Sequence, residues 1–222
     1  MQFVVLGNGI AGITAASTIR RLRKEASITI VTKEPYPAYS ACILPNYLCG
    51  EIDKKGVFIK YFSDYSKDNI NLILSQKAVA IDVDRKNVLL ESGNIRYDKL
   101  IVSTGSEPIM PPIKGIDKMG VFTFKSLDDV DSIFNWHSRT VAVVGSGPIG
   151  VEASIALRQR GCEVFLIEVL ERILPQVFDD DSASLVKGIL ESHGISVFTR
   201  EIVTEIIGTN IVRGVITDKR SL

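Results

Sequence analysis

One pattern occurs twice in this chain, 138 residues apart, and it constrains the fold more than any other feature of the sequence. Phe3-Val4-Val5-Leu6 runs into Gly7-Asn8-Gly9-Ile10-Ala11-Gly12, and Val141-Ala142-Val143-Val144 runs into Gly145-Ser146-Gly147-Pro148-Ile149-Gly150. Each copy is a short β-rich apolar run and a GxGxxG turn, followed by a segment of helical period, Ile13 to Arg23 or Val151 to Arg160. A second strand follows each helix, Ile28 to Val31 or Val164 to Ile167. Strand, glycine turn, helix and strand predict a parallel βαβ unit, and two of them predict an α/β chain.

The spacing has a chemical reason. The first glycine makes the strand-to-helix turn, the second lets backbone approach a pyrophosphate, and the third lets the helix pack close to the sheet with its N-terminal amides facing the anion. An acid beyond the second strand then accepts from an adenosine ribose hydroxyl. Glu168 lies 18 residues after Gly150 and Glu34 lies 22 after Gly12, both near the ~20 expected. Lys33 sits beside Glu34, which leaves the register of the first acid open. Two Rossmann-like dinucleotide-binding domains are predicted, each a parallel sheet with a β-meander. The economical pair of ligands is a nicotinamide and a flavin. Glycine-rich turns also serve plain helix packing, so a duplicated fold with one inactive site is the alternative.

Composition narrows the partners. The 222 residues carry 26 basic and 26 acidic side chains with no extended basic run, which gives little electrostatic reason to bind nucleic acid or an anionic membrane surface. A 45% hydrophobic content supplies a buried core and excludes intrinsic disorder. Apolar stretches are broken by Gly, Pro or charge short of the ~18 residues of a membrane span, and the N-terminus reads as a first strand rather than a secretory signal. Three cysteines, Cys42, Cys49 and Cys162, are too few for a disulfide-stapled scaffold and point to the reducing cytoplasm. No metal-ligand spacing is present, and His137 and His193 are not placed as general bases.

Between the repeats, Lys77 to Asp82 and Lys86 to Leu90 alternate about a turn, and Ser92-Gly93-Asn94 leads on to a strand at Leu100-Ile101-Val102, an antiparallel meander returning to the parallel sheet. Pro108, Pro111, Pro112 and Gly115 form the densest breaker cluster, which divides the chain into domains 1–110 and 111–222. Ser126-Leu127-Asp128-Asp129 has the form of a capping box with Asp in place of Glu, opening a helix to about Trp136. Asp179 to Glu191 reads as a further helix, and strands near Ile195 to Phe198, Ile202 to Ile207 and Ile211 to Ile216 follow.

Four stretches carry a resemblance: GNGIAGITAA at the start, YDKLIVSTGSEPIMPPIKG at 97–115, VAVVGSGPIGVEASIAL at 141–157 and VFLIEVLERILP at 164–175. On them the chain resembles the FAD- and NAD(P)H-dependent pyridine nucleotide-disulfide oxidoreductases. The resemblance implies a glutathione-reductase-like fold, FAD in the first domain and NAD(H) in the second. It implies that Gly7, Gly9, Ile10, Ala11, Gly12 and Glu34 line the first dinucleotide, with Thr104-Gly105 closing over it and the backbone near Val79 approaching its adenine. Gly145, Gly147, Ile149, Gly150 and Glu168 would line the second, with Glu152 near the nicotinamide. Glu168 would repel a 2′-phosphate and favour NADH over NADPH, although Arg172 is near in sequence.

The loop Pro37 to Pro45 resembles the segment that reaches the flavin, and in the coenzyme A-disulfide reductase and NADH oxidase branch a cysteine works there against the flavin. Cys42 matches that place, where Ala41-Cys42 and Asn46 replace the Arg-Pro and Lys of the branch that reduces electron carriers. Cys42 is then the catalytic thiol or a small residue packed beneath the flavin. Cys49 resolves an intermediate or packs, and Cys162 is structural. Arg20 and Arg21 form a solvated helix end, or a grip on coenzyme A phosphates as the resemblance implies.

The implied activity is NADH oxidation through FAD to a small-molecule disulfide, a persulfide or oxygen. The alternatives are reduction of an electron-carrier protein or a nitrite-reductase-like flavin module with Cys42 inert, and a non-catalytic subunit needing a partner chain. In the family a later segment finishes the FAD domain and a further domain forms a homodimer. The chain as given stops at Asp218-Lys219-Arg220-Ser221-Leu222 before these, so the resemblance implies a C-terminally truncated piece or a partner chain that completes it.

Overall fold

Strands covered on both faces read as near-continuous apolar runs, and β1 (Gln2–Leu6), apolar from Phe3 on, and β2 (Ser27–Val31), with Ile28, Ile30 and Val31 about a buried Thr29, have that character. In the computed structural model, which describes all 222 residues, they pair in parallel with Phe3 opposite Ile28 and Leu6 opposite Val31. With β3 (Asn71–Ile73) and β7 (Lys99–Val102) they form a parallel sheet in the order β3-β2-β1-β7. Alternation along the strands sorts the side chains. Val5, Ile28 and Ile30 pack with Ile13 and Ala16 of α1 (Ile10–Leu22) and with Tyr65 of α3 (Phe62–Lys67). Val4, Leu6 and Val31 turn to the opposite face and meet Val88. Val88 lies in an antiparallel meander of β4 (Ala78–Asp82), β5 (Asn87–Leu90) and β6 (Gly93–Arg96). The first unit, Met1–Ser40 with Lys54–Glu107, is therefore helix, parallel sheet and meander in three layers. Each fully covered Val or Ile stabilises by roughly 1.5–3 kcal/mol, so Val4, Val5 and Ile30, all without exposed surface, bind both outer layers to the sheet.

The second unit comprises Ala41–Asp53 and Pro108–Leu222. Its parallel sheet runs β10-β9-β8, from β8 (Thr140–Val144), β9 (Glu163–Ile167) and β10 (Ile195–Phe198). α5 (Pro148–Gln159) links the first two strands and α6 (Asp180–Ser192) precedes the third. A hairpin of β11 (Val203–Ile207) and β12 (Gly214–Thr217) packs Val203, Ile206 and Val215 on Ile167. α4 (Leu127–Trp136) opens with the expected capping box: Ser126 Oγ accepts from the Asp129 amide at 3.2 Å, and Asp129 Oδ2 accepts from the Ser126 amide at 2.9 Å. No helix is long and apolar enough to cross a membrane.

Several boundaries move from those predicted. α1 and α5 begin earlier, at Ile10 and Pro148, because Gly9 and Gly147 are extended N-caps and the last three residues of each GxGxxG are already helical. β12 begins at Gly214 rather than Ile211, since Ile211 bridges Met119 instead. α2 (Leu44–Cys49), α3 and β3 went unpredicted because three to six residues cannot display a period. The predicted single division at residue 110 also differs from the two units, which part between Glu107 and Pro108 and assign Ala41–Asp53 to the second. The reason is packing: α2 lies against α4 and α5, with Leu44 and Leu48 fully buried.

Candidate functional site

Each glycine of the first turn has a separate steric duty. Gly7 has φ +102°, and a Cβ there would stand 2.2 Å from the Ser103 carbonyl oxygen, so the chain leaving β7 runs directly against the turn. Ser103 is tied to the same place, its amide donating to the Leu6 carbonyl at 2.8 Å and its hydroxyl at 2.9 Å. Thr104 and Gly105, exposed, follow it beside the turn. A Cβ on Gly12 would meet the Gly7 carbonyl oxygen at 2.0 Å, which enforces close helix-to-turn contact. Gly9 differs, since a Cβ there meets no atom within 4 Å. Its open side, with exposed Ile10 and Ala11, is the room that a pyrophosphate requires beside helix N-terminal amides.

The second turn repeats the arrangement at its second and third glycines, whereas Gly145 shares the positive φ, +97°, but a Cβ there would meet no atom within 4 Å. A Cβ on Gly150 would also stand 2.0 Å from a carbonyl oxygen, that of Gly145, while Gly147 faces open space. Ile149 is exposed beside it, and Glu152 is exposed one turn along α5. These observations fit an adenine dinucleotide at either turn.

The acids are not equivalent. Gly145 N donates to the Ile167 carbonyl and Gly7 N to that of Val31, both at 2.8 Å, so the residues that follow, Glu168 and Thr32, occupy matching places. Glu168 is 6% exposed, and its Oε2 accepts from the Ser146 amide at 2.8 Å and the Ser146 hydroxyl at 2.7 Å. Its Oε1 accepts from the Leu170 amide at 2.9 Å. Glu34 stands two residues beyond Thr32, half-buried, its amide donating to the Thr32 hydroxyl at 3.3 Å. Glu34 thus lies two residues past the place that Glu168 holds in the second turn. Val79 falls at an irregularity in β4, between the paired residues Ala78 and Ala80, where the ladder to β5 skips it.

Cys42 is exposed in a single turn, Ala41–Ile43, leading into α2. Cys49 at the far end of α2 donates to the Asn46 carbonyl at 3.3 Å. Cys162 is buried, donates to the Ser138 carbonyl at 3.3 Å, and burial pushes its thiol up from the ordinary range. Arg20 and Arg21 separate. The Arg20 guanidinium donates to the Asp68, Asn69 and Lys24 carbonyls at 2.8, 2.7 and 2.5 Å, which commits it to tying α1 to the loop after α3. Arg21 instead lines a cleft of about 430 Å³ with Lys60 and the hydroxyl-bearing Thr14, Ser17 and Thr18.

The pyridine nucleotide-disulphide oxidoreductase family matches residues 1–222, the whole of the sequence. The chain belongs to that family. It is 35% identical over 229 residues to an NADH oxidase of Methanocaldococcus jannaschii, covering 98% of this chain and 51% of that protein. Its fold superposes on an NAD-dependent persulfide reductase from A. fulgidus with a TM-score of 0.92 and 31% identity, over 99% of this chain and 43% of that one. A water-forming NADH oxidase from Lactobacillus brevis, bound to NADH, gives 0.93 and 28%, over 100% of this chain and 51% of that one. An engineered NADPH-using form of the same oxidase gives 0.93 and 27%. The chain thus spans about half the length of the curated relative and of these solved structures.

Against the family pattern, sequence reasoning missed the residues that brace the turns. Asn8 is buried, its Oδ1 accepting from the Tyr65 hydroxyl at 2.9 Å and its Nδ2 donating to the Tyr36 carbonyl at 3.4 Å. Tyr65 accepts in turn from the Ala38 amide at 2.9 Å, and burial pushes its hydroxyl up. No local signal pairs Asn8 with a tyrosine 57 residues away. Ser146 had one: it is the hydroxyl-bearing residue inside a glycine turn whose acid was already identified.

Proposed function

We propose that this chain carries the two nucleotide-binding units of an FAD-dependent NADH oxidoreductase that delivers electrons to a disulfide, a persulfide or oxygen. The observation that carries the reading is the pair of glycine turns, each with its first glycine at positive φ, crowded at its third glycine and open at its second. In this reading Gly7, Gly9 and Gly12 with Ile10 and Ala11 hold the FAD pyrophosphate, Thr104 and Gly105 cover it, and Glu34 is the acid available to its ribose. Val79 backbone lies toward its adenine. Gly145, Gly147, Ile149 and Gly150 hold NADH, with Glu168 at the ribose and Glu152 toward the nicotinamide. When bound, the two coenzymes supply hydride-transfer chemistry that no side chain of the protein can provide. The chain's own contribution is the amide-lined turns and, through Cys42, an exposed thiol.

NADH preference has independent support. The engineered NADPH-using Lactobacillus oxidase replaces a glycine by alanine and, 18 residues later, aspartate, alanine and methionine in succession by alanine, arginine and serine, with a proline five residues on becoming arginine. Gly150, then Glu168-Val169-Leu170 after 18 residues, and Pro175 five beyond Leu170, keep the same spacing here with the acid in place. A carboxylate at that position favours a free 2′-hydroxyl, and arginine a 2′-phosphate.

Anaerobic titration of the FAD-supplemented chain with NADH tests the reading. Bleaching of the flavin at a stoichiometric end point is expected, and flavin absorbance that NADH leaves unchanged overturns it. Cys42→Ser then separates the acceptors: disulfide or persulfide turnover vanishes if the thiol reacts, whereas undiminished reduction of an electron-carrier protein assigns the chain to carrier reduction with Cys42 inert.

A further inference from the structure

We infer that Ser146 is a positioning residue that sets the chain's choice between NADH and NADPH through Glu168; the inference rests on the reading that NADH occupies the second turn. An ionised carboxylate offers about four acceptor positions, two per oxygen. Three of the four on Glu168 are filled by the protein. Oε2 takes both Ser146 donors, the amide at 2.8 Å and the hydroxyl at 2.7 Å, and Oε1 takes the Leu170 amide at 2.9 Å. One acceptor position remains, on Oε1, so a single ribose hydroxyl can donate to a carboxylate already held at both ends.

The Ser146 hydroxyl is the only one of the three donors that a side-chain change can remove. Ser146 has no exposed surface, and its carbonyl accepts from the Leu174 amide at 2.9 Å, so its backbone is held independently of the hydroxyl. A terminal carboxylate torsion is soft, and without the hydroxyl Oε2 is left with one donor. The carboxylate must then be ordered when the ribose arrives, which weakens NADH. NADPH loses less, because its 2′-phosphate gains nothing from a well-oriented negative charge. The first turn lacks this device. Its corresponding residue, Asn8, bonds Tyr65 and Tyr36, and Thr32 stands where Glu168 stands, so the pair is particular to the second turn.

The test is calorimetric titration of the full chain and its variants with NADH and with NADPH, which needs neither turnover nor flavin. Ser146→Ala is expected to weaken NADH about tenfold, as loss of a hydrogen bond to a charged group does, and NADPH less than about twofold, with the fold intact by thermal melt. In a Glu168→Ala background the same substitution is expected to leave the ratio of affinities within about twofold, since residues that act through one another are not additive. An unaltered NADH-to-NADPH ratio in Ser146→Ala, a tightening of NADH, or an equal effect with and without Glu168 overturns the inference. A wild-type chain that binds neither dinucleotide overturns the underlying reading and the inference with it, a result distinct from an unaltered ratio.

Discussion

Arg160 reaches the end of helix α2, its Nη1 donating to the Leu48 carbonyl at 2.9 Å. Its guanidinium also lies 4.0 Å from the centroid of the Phe134 ring. Phe134 in turn stacks on Tyr47 at 5.9 Å with 5° between the planes, and the Tyr47 hydroxyl donates to Asp131 at 2.8 Å. Arg160 is the C-cap of α5, and Gly147 is its N-cap. One helix of roughly 18 Å therefore joins the second glycine turn to the segment that carries Cys42. Arg160→Met keeps the apolar stem but removes the donor and the cation over the ring. It is expected to destabilise the chain by about 1–2 kcal/mol and to speed proteolytic cutting within residues 41–53. Unchanged urea midpoint and cutting rate would dismiss the contact as inert.

The two kinds of glycine in one turn separate stability from binding. Gly7→Ala forces a side chain into positive φ and against backbone 2.2 Å away, and about 3 kcal/mol of stability should be lost. Gly9→Ala meets no atom within 4 Å at φ −76°. Its melting temperature should hold while FAD affinity falls, because the added methyl group occupies the space left for pyrophosphate. Paired melts and FAD titrations check both.

Exchanging Glu168-Val169-Leu170 for Ala-Arg-Ser should reverse the coenzyme preference toward NADPH. It should also cost about 1–3 kcal/mol of stability, because the buried Ser146 donors lose their acceptor. Coenzyme titration and a urea midpoint measure the two effects on the same sample. A clean switch with no loss of stability would argue against the clamp geometry.

Thiol labelling should be biphasic or slower still. Cys42 is exposed and should react first, and Cys162 last. Because burial raises the Cys162 pKa, its thiolate fraction keeps growing at pH values where an ordinary thiol has levelled off, so its labelling rate should keep climbing. Cys42→Ser should delete the fast phase, and survival of that phase would relocate the reactive thiol.

Tyr47 should lend the fold a dependence on alkaline pH. Burial and the Asp131 hydrogen bond push its hydroxyl from 10.0 to about 12, against an opposing pull from Arg160. The protonated form is the one the fold favours. Its stabilisation is therefore fully present below about pH 10 and is lost as pH rises toward 12. Denaturation midpoints of wild type and Tyr47→Phe should run parallel up to pH 10 and converge above it.

The repeat, the parallel strands, the meander and the capping box at Ser126 could all be read in advance, because each depends on turn chemistry or periodicity within about a dozen residues. The open second glycines were legible for the same reason. What the sequence could not disclose are pairings across long separations. Arg20 and Arg21 are adjacent and chemically alike, yet packing commits one to carbonyls 48 and 49 residues away and leaves the other lining a cleft. Likewise Ala41–Asp53 joins the second unit because Leu44 and Leu48 find their cover on α4 and α5. Sequence by itself determined where the chain must turn and which faces must be buried. Only the tertiary structure decided which donor meets which acceptor, since a hydrogen bond needs its partners within about 3 Å, and the packing of whole layers sets that distance.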